Sequence, residues 1–107
     1  MTVGEKVYNT SCAVCHKSDG SGLPPTFPAL KGGKITTGPV ADHIHIVVFG
    51  KTGTAMQAFK EQLSNEQIAS VITFERNSWG NDNPSIYGKA AGGLVQATDI
   101  TAAKKGN

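Results

Sequence analysis

Apolar residues recur at helical intervals in two stretches of this chain, and nowhere do they alternate as they would along a strand. Val40, Ile44, Val47 and Val48 stand at i, i+4, i+7 and i+8, giving one apolar face to a helix that opens at Pro39. Gly50 stops it. Ile68, Val71 and Ile72 mark the buried face of another helix, announced by a capping box at Ser64 and Gln67. That helix is expected to reach toward Trp79 and to close at Gly80.

Two shorter signals complete the set. Thr2 and Glu5 have the form of a capping box, opening a helix that carries Gly4, Val7 and Tyr8. Near the other end a short helix is expected from Thr98, with Asp99 in its first turn and Lys104 and Lys105 near its end, charges that suit its dipole. Residues 17–38 and 80–93 are rich in Gly, Pro, Ser or Asn and read as loop, as does the link 51–63. There is no internal repeat, and the fold class is all-α.

Chemistry enters at Cys12, Ala13, Val14, Cys15 and His16. A Cys-x-x-Cys-His run reads as attachment of a c-type haem. Two thiols at i and i+3 on one helical turn reach the two vinyl groups of a porphyrin edge, and the adjacent imidazole turns beneath the ring to ligate iron. A zinc site would need two further ligands at compatible spacing, and only His43 and His45 remain, with no further Cys. A thioredoxin-like dithiol belongs in a βαβ pattern that is not visible here. A structural disulfide is the remaining reading; the spacing with the adjoining His favours haem.

Composition agrees. A chain of 107 residues buries about 65% of its unfolded surface, which is marginal for stability. With 38% apolar residues, this chain would draw the missing core from a haem. Thirteen Gly and five Pro suit irregular backbone laid over a flat cofactor. Both Cys are used by the motif, so no disulfide framework is left.

The formal charge of +2 is too small to argue for nucleic acid or an anionic membrane surface. Haem propionates lower it further, so docking of a redox partner should rest on a local patch. No apolar run approaches the roughly 18 residues of a membrane span, and no leader peptide is legible before the first helix. Covalent haem attachment nevertheless takes place outside the cytoplasm. The chain therefore reads as a mature fragment or excised domain of an exported or membrane-bound protein, soluble and monomeric by itself, at the periplasm or the outer face of the bacterial inner membrane.

Six-coordinate iron needs a second axial ligand, and Met56, flanked by the small residues Gly53, Thr54 and Ala55, is the candidate. A Met in a loop is otherwise an apolar contact. His43 and His45 are rivals that cannot share a helix face, so at least one is expected at the surface or bonded to a loop carbonyl or propionate. The Pro28 carbonyl, in the loop over the proximal face, is placed to accept the other ring N–H of His16. A plain turn-forming Pro remains the alternative.

The order of parts resembles class I cytochrome c. Gly4 and Tyr8, the motif from Cys12 to His16, Pro28, Met56 and a long following helix carry the resemblance, which covers residues 3–79. It implies a small all-α fold of three to five helices wrapped around one covalent haem c, with the Gly4 and Tyr8 face crossing the long helix near Val71 and Phe74. Residues 1–80 would be the haem-binding core, and 81–107 a loop and short helix packed on it. The resemblance also implies an exposed haem edge beside the thioethers. The expected docking patch is then Ala13, Val14, Ala55 and Ala58, with Lys17, Lys51 and Lys60 at its rim.

Runs beginning at Gly38, Gly53 and Val71 are similar to the haem c domain fused to subunit II of some bacterial cytochrome c oxidases. That likeness implies a domain, not itself catalytic, that takes electrons from a donor cytochrome and passes them to the binuclear copper centre of the oxidase. A free-standing exported cytochrome serving another reductase or dehydrogenase is the alternative. A haem protein with an open distal site for gas or peroxide is a third. Arg76 and Trp79 are able to bond haem propionates, with surface exposure and core packing as their plainer roles.

Overall fold

A computed structural model describes residues 3–17, 19–22, 29–51, 56 and 58–105, with the backbone alone at 14 and 15. Thr2 and Pro28 lie outside the described residues. Helix α1 (Val3–Val7) runs through a π turn (Tyr8–Cys12) into the single-turn α2 (Ala13–His16). After the wrapping loop come the single turn α3 (Lys34–Thr37), then α4 (Val40–Phe49) and α5 (Asn65–Arg76). A further single turn, α6 (Pro84–Tyr87), precedes the closing helix α7 (Ala97–Lys105). No strand occurs among the described residues, and the four principal helices match the all-α expectation.

Local chemistry explains most boundaries. The capping box at α5 is formed in both directions: Ser64 Oγ accepts the Gln67 N–H at 3.1 Å, and Gln67 Oε1 accepts the Ser64 N–H at 2.8 Å. Pro39 is the N-cap of α4 and not its first residue, and Gly50 ends that helix at φ 74°. Asp99 Oδ2 accepts the Gln96 N–H at 2.9 Å, anchoring the start of α7.

Two expectations are corrected. Helix α5 ends at Arg76, not at Gly80, because Asn77 leaves helical geometry and Trp79 turns left-handed at φ 56°. The loops 17–38 and 80–93 contain α3 and α6, single turns too short to carry a periodic signal; Asn83 caps α6 through the Ser85 N–H with Pro84 following.

The core joins α1, α4, α5 and α7. Tyr8, Val48, Ile68, Ile72 and Ile100 are fully buried, each aliphatic among them contributing about 1.5–3 kcal/mol of hydrophobic stabilisation. Helices α1 and α5 cross at Gly4, where a Cβ would lie 2.1 Å from the Ser70 carbonyl oxygen and 2.9 Å from Phe74 Cβ. No helix among the described residues is long and apolar enough to cross a membrane.

Candidate functional site

The first half of the site is built on the α1–α2 run. Cys12 ends the π turn as a half-buried thiol, not a disulfide, and His16 ends α2, also half-buried. The chain then reverses at Lys17, with φ 63° and ψ 159°, a region occupied almost only by glycine. Tyr8 holds the reversal: its buried hydroxyl donates to the Lys17 carbonyl at 2.5 Å. Burial foremost, with the nearby Glu75, Cys12 and Asp19, pushes the Tyr8 phenol well above its ordinary range, so it remains a donor. The Gly20 N–H returns to the Lys17 carbonyl at 3.1 Å, and the Gly22 N–H to the His16 carbonyl at 2.9 Å.

The second half hangs from α4. The Lys51 N–H donates to the Met56 carbonyl at 3.2 Å, closing the loop between them. Beyond it, the Phe59 and Lys60 N–H groups donate to the Val47 and Val48 carbonyls at 3.0 and 3.1 Å, satisfying carbonyls that the end of α4 leaves open. Met56 is therefore carried on a loop tied at both ends, and its side chain is half-buried against the core.

Thiol, imidazole and thioether are the donor set of a covalently attached haem with His and Met axial ligands. The structure fits such a group on a second count: Cys12, Ala13, Leu30, Met56, Leu63 and Phe74 are apolar, touch the core, and yet stay only partly buried. Apolar side chains left partly open against the core are what a flat apolar cofactor would cover. The side chains of Val14 and Cys15, together with Pro28 and Ala55, lie outside the described residues. Of the expected docking patch, Ala13 is half-buried, while Ala58, Lys17, Lys51 and Lys60 are exposed. Lys60 Nζ sits over the Phe49 ring, 5.5 Å from its centre. A groove of about 590 Å³ between α4 and α7, lined by Val40, Ile44, His45, Phe49, Asp99 and Ala102, includes none of Cys12, His16 and Met56.

His43 and Arg76 have roles that the sequence did not reveal. Arg76 is completely buried. Its Nε donates to Gly92 O at 3.0 Å and its Nη2 to Gly38 O at 2.6 Å and to Ala90 O. Its Nη1 faces Ile35 O at 3.4 Å and His43 Nδ1 at 3.3 Å. Five N–H groups meet five acceptors, so no donor is left for a propionate. Since guanidinium only donates, His43 Nδ1 is the acceptor and its Nε2–H donates to Glu75 Oε1 at 2.8 Å. Neither ring nitrogen is then open to iron, and His45 lies at the surface, stacked on Phe49 at 5.0 Å. Trp79 packs between Tyr8 and Phe74, with centroids 5.2 and 5.7 Å away.

A family model described as cytochrome c oxidase, cbb3-type, subunit III matches residues 1–74. The chain is 35% identical to the cytochrome c subunit of the quinone alcohol dehydrogenase of Gluconobacter oxydans, over 91% of this chain and 21% of that protein. It is 36% identical to the gluconate 2-dehydrogenase cytochrome c subunit of Pantoea cypripedii, over 95% of this chain and 24% of that protein. Cytochrome c6 of Leptolyngbya boryana is 36% identical, over 66% of this chain and 84% of that protein. The chain thus spans about a fifth of the length of its dehydrogenase relatives.

Proposed function

Since the chain belongs to the c-type cytochrome family described as subunit III of the cbb3-type cytochrome c oxidase, we propose that it is an electron-relaying haem domain of a dehydrogenase's cytochrome subunit. Electron transfer with covalent haem c is the property of the family; the dehydrogenase setting is the added step. One observation carries it. The likeness to dehydrogenase cytochrome subunits extends over 91% and 95% of the chain, and so into the tail beyond Arg76, whereas the match to cytochrome c6 covers 66%. These relatives support a dehydrogenase as redox partner in place of the copper centre of oxidase subunit II.

In this reading Cys12 and Cys15 would hold the haem through thioethers, His16 and Met56 would ligate its iron, and the Pro28 carbonyl would accept the His16 ring N–H. Iron so ligated supplies a one-electron couple. The protein's own residues supply the rest. Tyr8 and Lys17 fix the turn behind His16, and the Lys51 to Met56 closure sets the opposite loop. With both axial positions filled there is no place for a substrate, so the domain by itself is a carrier. Thioether formation places it outside the cytoplasm, at the periplasm or outer membrane face of its cell.

The test is direct reduction. Ferric protein mixed with the catalytic part of a quinone alcohol dehydrogenase and ethanol, or of gluconate 2-dehydrogenase and gluconate, should be reduced at a rate that rises with dehydrogenase concentration. Failure with both, alongside rapid electron delivery to a copper-containing fragment of oxidase subunit II, would restore the oxidase reading.

A further inference from the structure

The turn that follows α5 is strained at Trp79 and leads to the buried Asn81. Trp79 holds φ 56°, which a bulky residue adopts only under constraint from its surroundings. That conformation seats the indole against Gly20, where even a Cβ would lie 2.8 Å from the ring. Two residues on, Asn81 is fully buried. Its Nδ2 donates to Leu30 O at 3.0 Å and to Glu75 O at 2.8 Å, and its Oδ1 accepts the Gly32 N–H at 2.7 Å.

The two segments held in this way are also joined to each other and to the candidate ligand. Leu30 and Lys31 N–H groups donate to Gly20 O at 2.7 and 3.0 Å, and Gly22 N–H to His16 O at 2.9 Å. Thr36 adds a bond from its hydroxyl to Leu30 O at 2.5 Å. Residues 20–22 and 29–32 are the flanks of the loop that contains Pro28. A continuous hydrogen-bonded path therefore runs from Asn81 through Leu30 and Gly20, and the 20–22 turn carries it on to His16.

We propose that Asn81 and Trp79 are positioning residues for the proximal ligand: they clasp residues 20–22 and 29–32, of which Gly22 bonds the His16 carbonyl, and thereby help set the reduction potential. This rests on the reading of His16 as an iron ligand. Groups outside the ligand sphere tune a metal by orienting its ligands and by controlling access of water. Loosening the flanks admits water, which favours the more highly charged ferric state. A weaker bond to the His16 ring acts the other way, but hydration of a whole charge outweighs modulation of one hydrogen bond.

Spectroelectrochemical titration of the haem-loaded protein tests this with three variants. Asn81→Leu keeps the branched shape of the side chain and loses three bonds. Asn77→Leu is the control on the same turn, since among the described residues the Asn77 side chain donates to Thr73 O at 2.8 Å and Gly93 O at 2.7 Å and to neither segment held by Asn81. Asn81→Leu should shift the oxidised-to-reduced equilibrium about tenfold toward the ferric form, which is about 59 mV for one electron, and should speed exchange of the Gly32 amide. Asn77→Leu should stay within about twofold of the wild type. Thr36→Val, which removes one bond to Leu30 O and leaves Asn81 in place, should shift the equilibrium the same way by a smaller factor, and it decides the matter should Asn81→Leu fail to fold. Faster Gly32 exchange with an unchanged potential would overturn the inference, as would an equal shift in Asn77→Leu. A wild-type ferric spectrum in His16→Ala would overturn the ligand assignment and this inference with it; an altered one, with potentials unmoved, sinks the inference alone.

Discussion

The Tyr8 hydroxyl donates to the Lys17 carbonyl at 2.5 Å, across nine residues that include the whole Cys-x-x-Cys-His motif. The bond pins a backbone conformation that Lys would otherwise avoid. Tyr8→Phe is expected to lower stability by about 0.5–1.5 kcal/mol at neutral pH, through the lost bond alone, since the Lys17 carbonyl keeps the Gly20 N–H, as read from urea unfolding. The pH dependence follows from the raised phenol. A group whose folded value lies above its unfolded one stabilises fully below the unfolded value, about 10 for Tyr, and loses that contribution as pH climbs beyond it. The stability gap between wild type and Tyr8→Phe should therefore hold steady up to about pH 10 and narrow above it. A gap that widens there contradicts the assignment.

Gly4 is the point of closest approach between α1 and α5, and the obstacle facing any side chain there is the Ser70 carbonyl at 2.1 Å. A backbone oxygen cannot rotate away, so Gly4→Ala must push the helices apart and disturb Tyr8 and Phe74, whose rings are 5.5 Å apart. We expect a loss of about 1–3 kcal/mol, seen as a fall of roughly 5–15 °C in the Tm of the haem-loaded protein. Ser70→Ala in the same background should not rescue it, because the contact is with main chain.

The helices were legible where a local pattern records a local cause. The apolar face of α5 and the Ser64 capping box appear as expected, and on α4 Ile44, Val47 and Val48 are buried, whereas Val40 stays exposed in the first turn and His43 is buried beside them. What escaped has distant causes. Glu75 and Arg76 continue the buried stripe of Ile68, Val71 and Ile72, but as charged residues they read as surface; their partner His43 lies 32 and 33 residues away. The charge pattern could have raised the question, since two ionisable groups on an apolar stripe require buried partners. Likewise, α5 stops at Arg76 because Trp79 is drawn under Tyr8, a tertiary pull that no spacing announces. The Cys-x-x-Cys-His run was readable because its residues lie within one turn, whereas the chain beyond Met56 is held by bonds from Phe59 and Lys60 to α4 that no local pattern announces.

Met56 as an axial ligand makes a spectroscopic prediction. The ferric protein should show the weak near-infrared absorption of sulfur-to-iron charge transfer, and Met56→Ala should lose it while the fold, read by far-ultraviolet circular dichroism, persists. The variant should also gain affinity for added imidazole or cyanide, since a thioether no longer fills the position. Survival of the band in Met56→Ala would exclude this ligand, and a wild type that already binds such ligands tightly would favour an open distal site.

Lys17 and Lys51 are both exposed, one directly after His16 and the other at the base of the Met56 loop. They are thus attached to the two turns that carry the candidate ligands, and a partner approaching a haem held there would meet them early. Charges in such rim positions act mainly on the encounter rate, through a field that salt screens over about 8–10 Å. Replacing both by Glu reverses the local field without removing any contact in the core. Reduction by a dehydrogenase partner should then slow by about tenfold or more at low ionic strength, and the deficit should shrink as salt rises toward 0.5 M. Because charge reversal beside His16 also acts on the iron, the potential is measured alongside, which separates docking from driving force. Equal rates for variant and wild type at every ionic strength would place the docking surface elsewhere on the molecule.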